Sequence, residues 1–348
     1  MKKILLIGKT GQLGSEIIKD AFSFGFEIVG FEQEELDVTN HLQVKEKIEK
    51  IKPNIVINTS AYQVVSMCQE NPMVAMEINF IAVLNLARIC KENDIIFITY
   101  SSDYVFDGTK GVPNEEDDAP NPLQMYGMSK LAGEYAALHA YPAALNYETP
   151  ITNNFSVILS KFGLEIRKNF QADALRKPEN SIKFPSAKFG KNPAKEFRNS
   201  EPDGVFIIRT CGLYGGKIGS PQKGNFVLNI IKEAQDKKVV EVSVEQMVSP
   251  TYAGDLSRAT LKLLNSKAKF GIYHLVSEGE CSWYEFTQEI FKLAGITKEL
   301  KPINRSGVDG KIKRPKFSAL KNTKAKVLGI VLPFWQEGLK AYFEFLKK

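Results

Sequence analysis

The chain has 348 residues, 43% hydrophobic and 25% charged, with 46 Lys and Arg against 40 Asp and Glu. That profile excludes a disordered or fibrous protein, and the length exceeds what one hydrophobic core usually organises, so two interdigitated domains are expected. No apolar run approaches the roughly 20 residues of a bilayer span, and the apolar stretch of the opening MKKILLIG is too short for a signal peptide, so a cytoplasmic protein without a membrane span is expected.

Cys68, Cys90, Cys211 and Cys281 form no CxxC pair, and His41, His139 and His274 are too few for a histidine metal centre or relay. Acid–base work at neutral pH then falls to Tyr, Lys, Asp or Glu. The net charge of +6 resides in one segment: ten basic residues against four acidic ones lie between Lys161 and Ser200. The remainder is neutral, and no nucleic-acid-binding body is indicated.

In chain order, residues 3–7 read as a strand that stops at Gly8, and helical spacing follows from Ser15. The pattern repeats with strands at 27–31, 53–58 and 95–100 and helices at 41–51, 73–92 and from about Ser129. Near-continuous apolar strands alternating with helices predict a parallel sheet covered on both faces: an α/β, Rossmann-type doubly wound fold with ligands at the carboxyl ends of the strands. The alternation fails at 141–203, where only 155–168 has weak helical spacing, and resumes with a strand at 204–209. The domain expectation is a cofactor-binding unit over 1–140 completed by 204–265, a basic insertion at 141–203, and a smaller C-terminal α/β substrate lobe over 266–348. Helices are expected at 225–236, 254–265, 282–294 and 333–346, and a strand at 271–276.

Gly8, Gly11 and Gly14 stand between the first strand and the first helix. Glycines here permit a tight turn and close approach of backbone to a pyrophosphate, which the helix N-terminus attracts. The first gap is one residue wider than the usual fingerprint. A P-loop is excluded because Lys3 occupies the position five before Gly8, where a glycine is required. Glu32, after the second strand, is placed to bind the adenosine ribose, and Gln33 in place of an arginine leans toward NAD over NADP. Tyr126 and Lys130 are one helical turn apart, so an ammonium can lie beside the phenol and lower its pKa. Ser102, at the end of the fourth strand, can hold a carbonyl oxygen. Together these supply what hydride delivery to a ketone requires.

The stretches GKTGQLGSE, LDVTN, NTSAY, YSSDYVFDG, YGMSKLAGE, SPTYAGDL, GIYHLVSEGECSWYEF and RPKFSAL cover nearly the whole chain outside 141–203. They resemble the extended short-chain dehydrogenases/reductases and, within them, the dTDP-4-dehydrorhamnose reductases. The resemblance implies an enzyme that uses NADPH or NADH to reduce the C4 ketone of a nucleotide-linked 6-deoxysugar. It makes Ser102 the hydroxyl partner, Tyr126 the proton donor and Lys130 its modulator and ribose clamp. Gly8, Thr10, Gly11, Gln12, Leu13 and Gly14 would cradle the pyrophosphate, Asp37 and Val38 would flank adenine, and Thr59, Ser60, Ala61 and Tyr62 would line the cofactor. Asp103, Tyr104, Gly212 and Asn225 would face the sugar. Glu16 matches a carboxylate of a magnesium site in some relatives, which makes Mg2+ a further expectation. A homodimer is left open.

Two departures bear on this reading. Gly212 stands where several rhamnose-pathway enzymes carry a substrate-contacting Trp, and the basic insertion is atypical. Simple packing competes at several positions: Tyr104 and Phe106 can pack the turn after the fourth strand, Trp283, Tyr284 and Phe286 can form the lobe's core, and Arg314 can merely end a loop. Two rival functions stay open. One is a non-catalytic regulatory subunit resembling that of methionine adenosyltransferase; the other is a nucleotide-sugar epimerase that retains NAD.

Overall fold

Runs of β-branched and Leu residues between glycine, asparagine or proline breaks become strands here because both their faces are covered. The computed structural model describes residues 1–141, 204–217, 224–304, 308–309 and 312–347. The basic insertion beyond Tyr141 and the helix expected near 155–168 lie outside the described residues.

The first part alternates β1 (Lys2–Ile7), α1 (Gln12–Ala21), β2 (Phe26–Phe31), α2 (His41–Ile51) and β3 (Ile55–Asn58). A broken helical run follows, α3 (Val65–Glu70), α4 (Pro72–Met76) and α5 (Ala82–Glu92), then β4 (Ile96–Ser102) and α6 (Met125–Ala140). A π-helical turn, Glu77–Ile81, joins α4 to α5. After the insertion come β5 (Val205–Thr210), α7 (Phe226–Asp236), β6 (Val239–Ser243), β7 (Met247–Val248), α8 (Ala253–Leu264) and β8 (Gly271–His274). β9 (Cys281–Ser282), α9 (Trp283–Ala294), β10 (Glu299–Ile303), α10 (Thr323–Val327) and α11 (Trp335–Leu346) follow.

Six strands form one parallel sheet in the order β2-β1-β3-β4-β5-β8. The chain leaves β1 in one direction to reach β2 and in the other to reach β3, so the switch point, where such folds open a ligand crevice, lies at Gly8. Apolar side chains of the strands feed two buried clusters. Ile4, Leu6, Ile57, Ile98 and Ile208 pack with Ile17 of α1 and Leu256 of α8. Leu5, Val56, Phe97 and Ile207 pack with Val44 of α2, Leu86 of α5 and Ala137 of α6. Pro72–Glu92 is the one described helical run long and apolar enough to cross a membrane, and half of its most apolar window is buried inside the protein; Val83, Leu86, Ala87 and Cys90 belong to the second cluster.

β8 joins the main sheet as an edge strand against β5, so the chain is back in the Rossmann layer after residue 266. Ala325, Ile330 and Leu332 also pack into the first sheet cluster. A third cluster gathers Tyr214, Val227, Val240, Phe286, Trp335 and Tyr342, around a parallel β6–β10 pair. Its helices are locally well specified: Asn225 caps α7 and a Ser282/Glu285 capping box starts α9, which ends at Gly295 with φ 66°.

Candidate active site

A cleft of about 760 Å3 begins at the turn after β1, passes the ends of β3, β4 and β5, and runs on to α7, β6 and Trp283. Of the residues expected there, Gly8, Thr10, Gly11, Gln12, Leu13, Thr59, Ser60, Ala61, Ser102, Asp103, Tyr104, Tyr126, Lys130, Gly212 and Asn225 line it. Gly14, Glu16, Glu32, Asp37, Val38 and Tyr62 are not among its lining residues.

The glycine turn is held by backbone. Gly8 and Lys9 donate to the Phe31 carbonyl at 2.8 and 3.0 Å, and Thr59 Oγ1 donates to the Ile7 carbonyl at 2.8 Å, so the ends of β1, β2 and β3 are tied together. A Cβ on Gly14 would lie 2.0 Å from the Gly8 carbonyl oxygen; the absence of a side chain is what lets α1 start so close to the strand. Gly11 precedes α1 without a side-chain cap, which leaves the first helical N–H groups open to an anion. Gln12 is buried with Oε1 unpartnered and lines the cleft. These features fit a dinucleotide pyrophosphate.

Around the adenosine end the geometry departs from the residues expected. Gln33 and Glu34, rather than Glu32, line the cleft. Asp37 Oδ1 accepts from Thr39 N at 2.9 Å and Thr39 Oγ1 at 2.8 Å, closing a local turn, and Val38 is buried in the sheet cluster. Glu35 accepts from Lys9 Nζ at 2.6 Å. Tyr62 serves as backbone: its N–H donates to Asn79 Oδ1, and its carbonyl accepts from Asn79 Nδ2, both at 2.9 Å. Asn79 Nδ2 also donates to Ser129 Oγ of α6 at 2.9 Å. That buried amide, in the π-helical turn, moors the loop after β3 to the helix carrying Tyr126; its apolar sequence surroundings give no sign of this role.

Helix α6 starts at Met125, earlier than the expected Ser129, because Gln124 caps it by accepting from Gly127 N at 3.0 Å. A Cβ on Gly127 would fall 2.0 Å from the Tyr104 carbonyl oxygen, so this glycine lets the first turn of α6 press against the strand end. The rings of Tyr104 and Tyr126 meet edge to face at 5.9 Å. Ser102 Oγ accepts from Tyr104 N at 3.2 Å, donates to Asp103 Oδ1 at 2.7 Å and hydrogen-bonds the Tyr126 phenol. Tyr126, Lys130 and Glu134 stack one turn apart on α6. Glu134 accepts two bonds from Arg209 of β5, at 2.9 and 2.7 Å, with both side chains buried.

Burial pushes the Tyr126 phenol above its ordinary range, and the nearby Asp103 carboxylate adds to that, against the Ser102 hydrogen bond. The expected depression by Lys130 is not what dominates: the cost to the phenolate of leaving water does. Lys130 is itself lowered to about 8 by burial, with Glu134 opposing the fall.

On the opposite side, Asp103 is only 3% exposed. Its carboxylate accepts from Ser102 and from Cys211 Sγ at 3.2 Å, and also engages Ser318, so it is directed inward. Tyr104 hydrogen-bonds Arg314, which lines the cleft. Asn225 is consumed by structure: Oδ1 accepts from Leu228 N, and Nδ2 donates to the Gly215 carbonyl and the Tyr342 hydroxyl. Gly212 has φ +55°, and a Cβ there would sit 3.1 Å from Pro250 Cα and 3.4 Å from Trp283 Cη2. The side chain missing at 212 is therefore met by an indole from α9. Trp283, read from sequence as core, packs on Phe226 with ring centroids 4.3 Å apart and also lines the cleft.

The residues present do not fit a magnesium ion. Glu16 is 2% exposed, pairs with Lys19 at 2.6 Å and accepts from the Tyr252 hydroxyl at 3.3 Å. No group of three metal-ligating side chains occurs among the described residues. The expectation of Mg2+ at Glu16 is corrected accordingly: the carboxylate already has partners inside the protein.

Comparison with known proteins agrees with this geometry. A family model described as RmlD substrate binding domain matches residues 1–151 and 194–347. The chain is 27% identical over 344 residues to the spore coat polysaccharide biosynthesis protein SpsK of Bacillus subtilis strain 168, covering 99% of this chain and 98% of that one. A dTDP-4-dehydrorhamnose reductase structure from Clostridium acetobutylicum superposes with TM-score 0.77 at 29% identity, covering 99% of this chain and 100% of the other. One from Bacillus anthracis, in complex with NADP, gives 0.75 at 26% identity with the same coverage. With its glycine-turn cleft and its Ser, Tyr and Lys at one strand end, the chain belongs to the RmlD substrate-binding family of extended short-chain dehydrogenases/reductases.

Proposed function

We propose that the protein is an NAD(P)H-dependent reductase of the C4 ketone of a nucleotide-linked 6-deoxysugar, converting dTDP-4-dehydrorhamnose to dTDP-L-rhamnose. The observation that carries this reading is the convergence of Ser102, Tyr126 and Lys130 on the cleft that opens at the Gly8 turn. Gly8, Thr10, Gly11, Gln12 and Leu13 would hold the pyrophosphate, and Thr59, Ser60 and Ala61 the ribose and nicotinamide side. When bound, the reduced nicotinamide supplies the hydride.

The chain's own residues do the rest. Tyr126, a phenol held protonated by burial, donates its proton to the carbonyl oxygen as negative charge develops there. Ser102 shares that oxygen and limits its movement. Among the described residues the Lys130 ammonium has no hydrogen-bond or ion-pair partner, which leaves it available to a ribose hydroxyl and to the phenolate that forms. Arg209 and Glu134 fix the helix face that presents both groups. Gln33 and Glu34 at the adenosine end offer no cation to a 2′-phosphate, which favours NADH; the Bacillus anthracis relative carries NADP, so both cofactors belong in the assay.

Purified protein given dTDP-4-dehydrorhamnose should consume NADH or NADPH absorbance, and Tyr126→Phe should lower turnover by about 100-fold or more, the range for loss of a general acid, with cofactor still bound. Turnover unchanged in that variant refutes the assignment. Net sugar isomerisation without added reductant would instead identify an epimerase, and failure on every keto-sugar a non-catalytic subunit.

A further inference from the structure

Ser102 has one hydrogen and two lone pairs, and its hydrogen is committed inward. Its hydrogen goes to Asp103 Oδ1 at 2.7 Å, and one lone pair receives Tyr104 N–H at 3.2 Å. In that arrangement Ser102 has no hydrogen free for a ketone. Asp103, 3% exposed on the short turn after β4, is the one partner whose change of state reverses the pattern.

We propose that Asp103 is a positioning residue acting behind Ser102: as a neutral carboxyl it donates to the Ser102 oxygen, turning the Ser102 hydrogen toward the substrate carbonyl. The inference rests on the reductase reading and deepens it. No proton is consumed at Asp103. The carboxyl hydrogen stays on Asp103, the Ser102 hydrogen stays on Ser102, and the one proton delivered to the product alkoxide is that of Tyr126. The ionised carboxylate draws the Ser102 hydrogen inward, which is the resting arrangement.

The surroundings allow both states. Facing Asp103 are Ser102, the Cys211 thiol after β5, Ser318, and the Tyr126 and Tyr104 phenols, with Arg314 beyond Tyr104. Burial raises the carboxyl's pKa against the hydrogen bonds of Ser318, Ser102 and Cys211. Burial likewise raises the Cys211 thiol, so that neighbour brings no charge of its own. The active form is therefore the low-pH form, and turnover should fall as pH rises through the Asp103 pKa. The alkaline limb of Lys130, lowered to about 8, is separate.

Two measurements decide the matter. Infrared difference spectra of the intact protein across pH should contain a neutral carboxyl stretch that is absent in Asp103→Asn and shifted in Ser102→Ala; this readout is independent of turnover. In the keto-sugar assay, Asp103→Asn, whose amide can always donate to Ser102, should keep kcat within about 10-fold and lose the pH limb that follows the carboxyl. Asp103→Leu should lose about 100-fold in kcat with KM unchanged, as for a removed oxyanion donor. The proposal is overturned if no Ser102-sensitive carboxyl band appears, if the Asn and Leu variants are equally impaired, or if Asp103→Asn raises KM alone, the mark of a direct sugar contact. A wild-type protein with the band but no turnover on any keto-sugar supports the Asp103–Ser102 contact and refutes the reductase reading.

Discussion

The two ends of the cleft are built in opposite ways. At the turn after β1 the wall is main chain, with carbonyls and N–H groups fixed by strand ends and a helix start, and glycine present at 8 and 14 because a side chain would collide. At the far end the wall is side chain, with Tyr104, Phe226, Trp283 and Arg314 brought together from four distant segments. Backbone walls fix one geometry for a constant ligand part such as a pyrophosphate; side-chain walls can be exchanged one at a time, which is where a family varies its substrate.

The contrast breaks most easily at Gly14. Alanine there places a Cβ 2.0 Å from the Gly8 carbonyl oxygen, which nothing flexible can absorb, so cofactor affinity should fall by about 100-fold and stability by about 1–3 kcal/mol, the cost of overpacking. Fluorescence titration with NADH and thermal unfolding check it; near-wild-type affinity would mean the turn is more plastic than its hydrogen bonds imply. Lys130, between the two ends, tests stability against function. Its folded pKa of about 8 lies below the unfolded value near 10.4, so the unfolded chain binds the extra proton. Lys130→Met should therefore be more stable than wild type by about 3 kcal/mol at pH 7. The advantage should shrink between about pH 8 and pH 10.4 as the wild-type penalty fades, while turnover is lost. Denaturation at several pH values decides; a constant difference would place the ammonium in water. The mildest effect is expected at the side-chain end. Trp283→Leu should raise KM for the nucleotide sugar by about 10-fold, the equivalent of roughly 1.4 kcal/mol, with cofactor affinity intact. An equal loss of both would erase the distinction between the two ends.

Much of this was legible in local sequence. The strand, glycine turn and helix at the N-terminus announce themselves by spacing, and Ser102, Tyr126 and Lys130 each sit at a position their segment alone makes plausible. The early start of α6 was missed because its cap is Gln124, outside the usual Ser, Thr, Asp and Asn set. Asn79 was missed because a π-helical turn hides it within an apolar helix. Trp283 was read only as core because an amphipathic pattern says which face is buried and not what else that face touches. Glu16 was read as a metal ligand although Tyr252 and Lys19 claim it.

Sequence by itself determined the alternation of strands and helices and the place of the glycine turn, because periodicity and turn chemistry act over a few neighbouring residues. Tertiary structure decided which way each polar side chain faces: Cys211 reaches Asp103 across 108 residues of chain and Arg209 grips Glu134 across 75. No local pattern encodes such pairs, since they form only when the sheet brings β4, β5 and α6 into register and burial makes an unpaired charge too costly to leave.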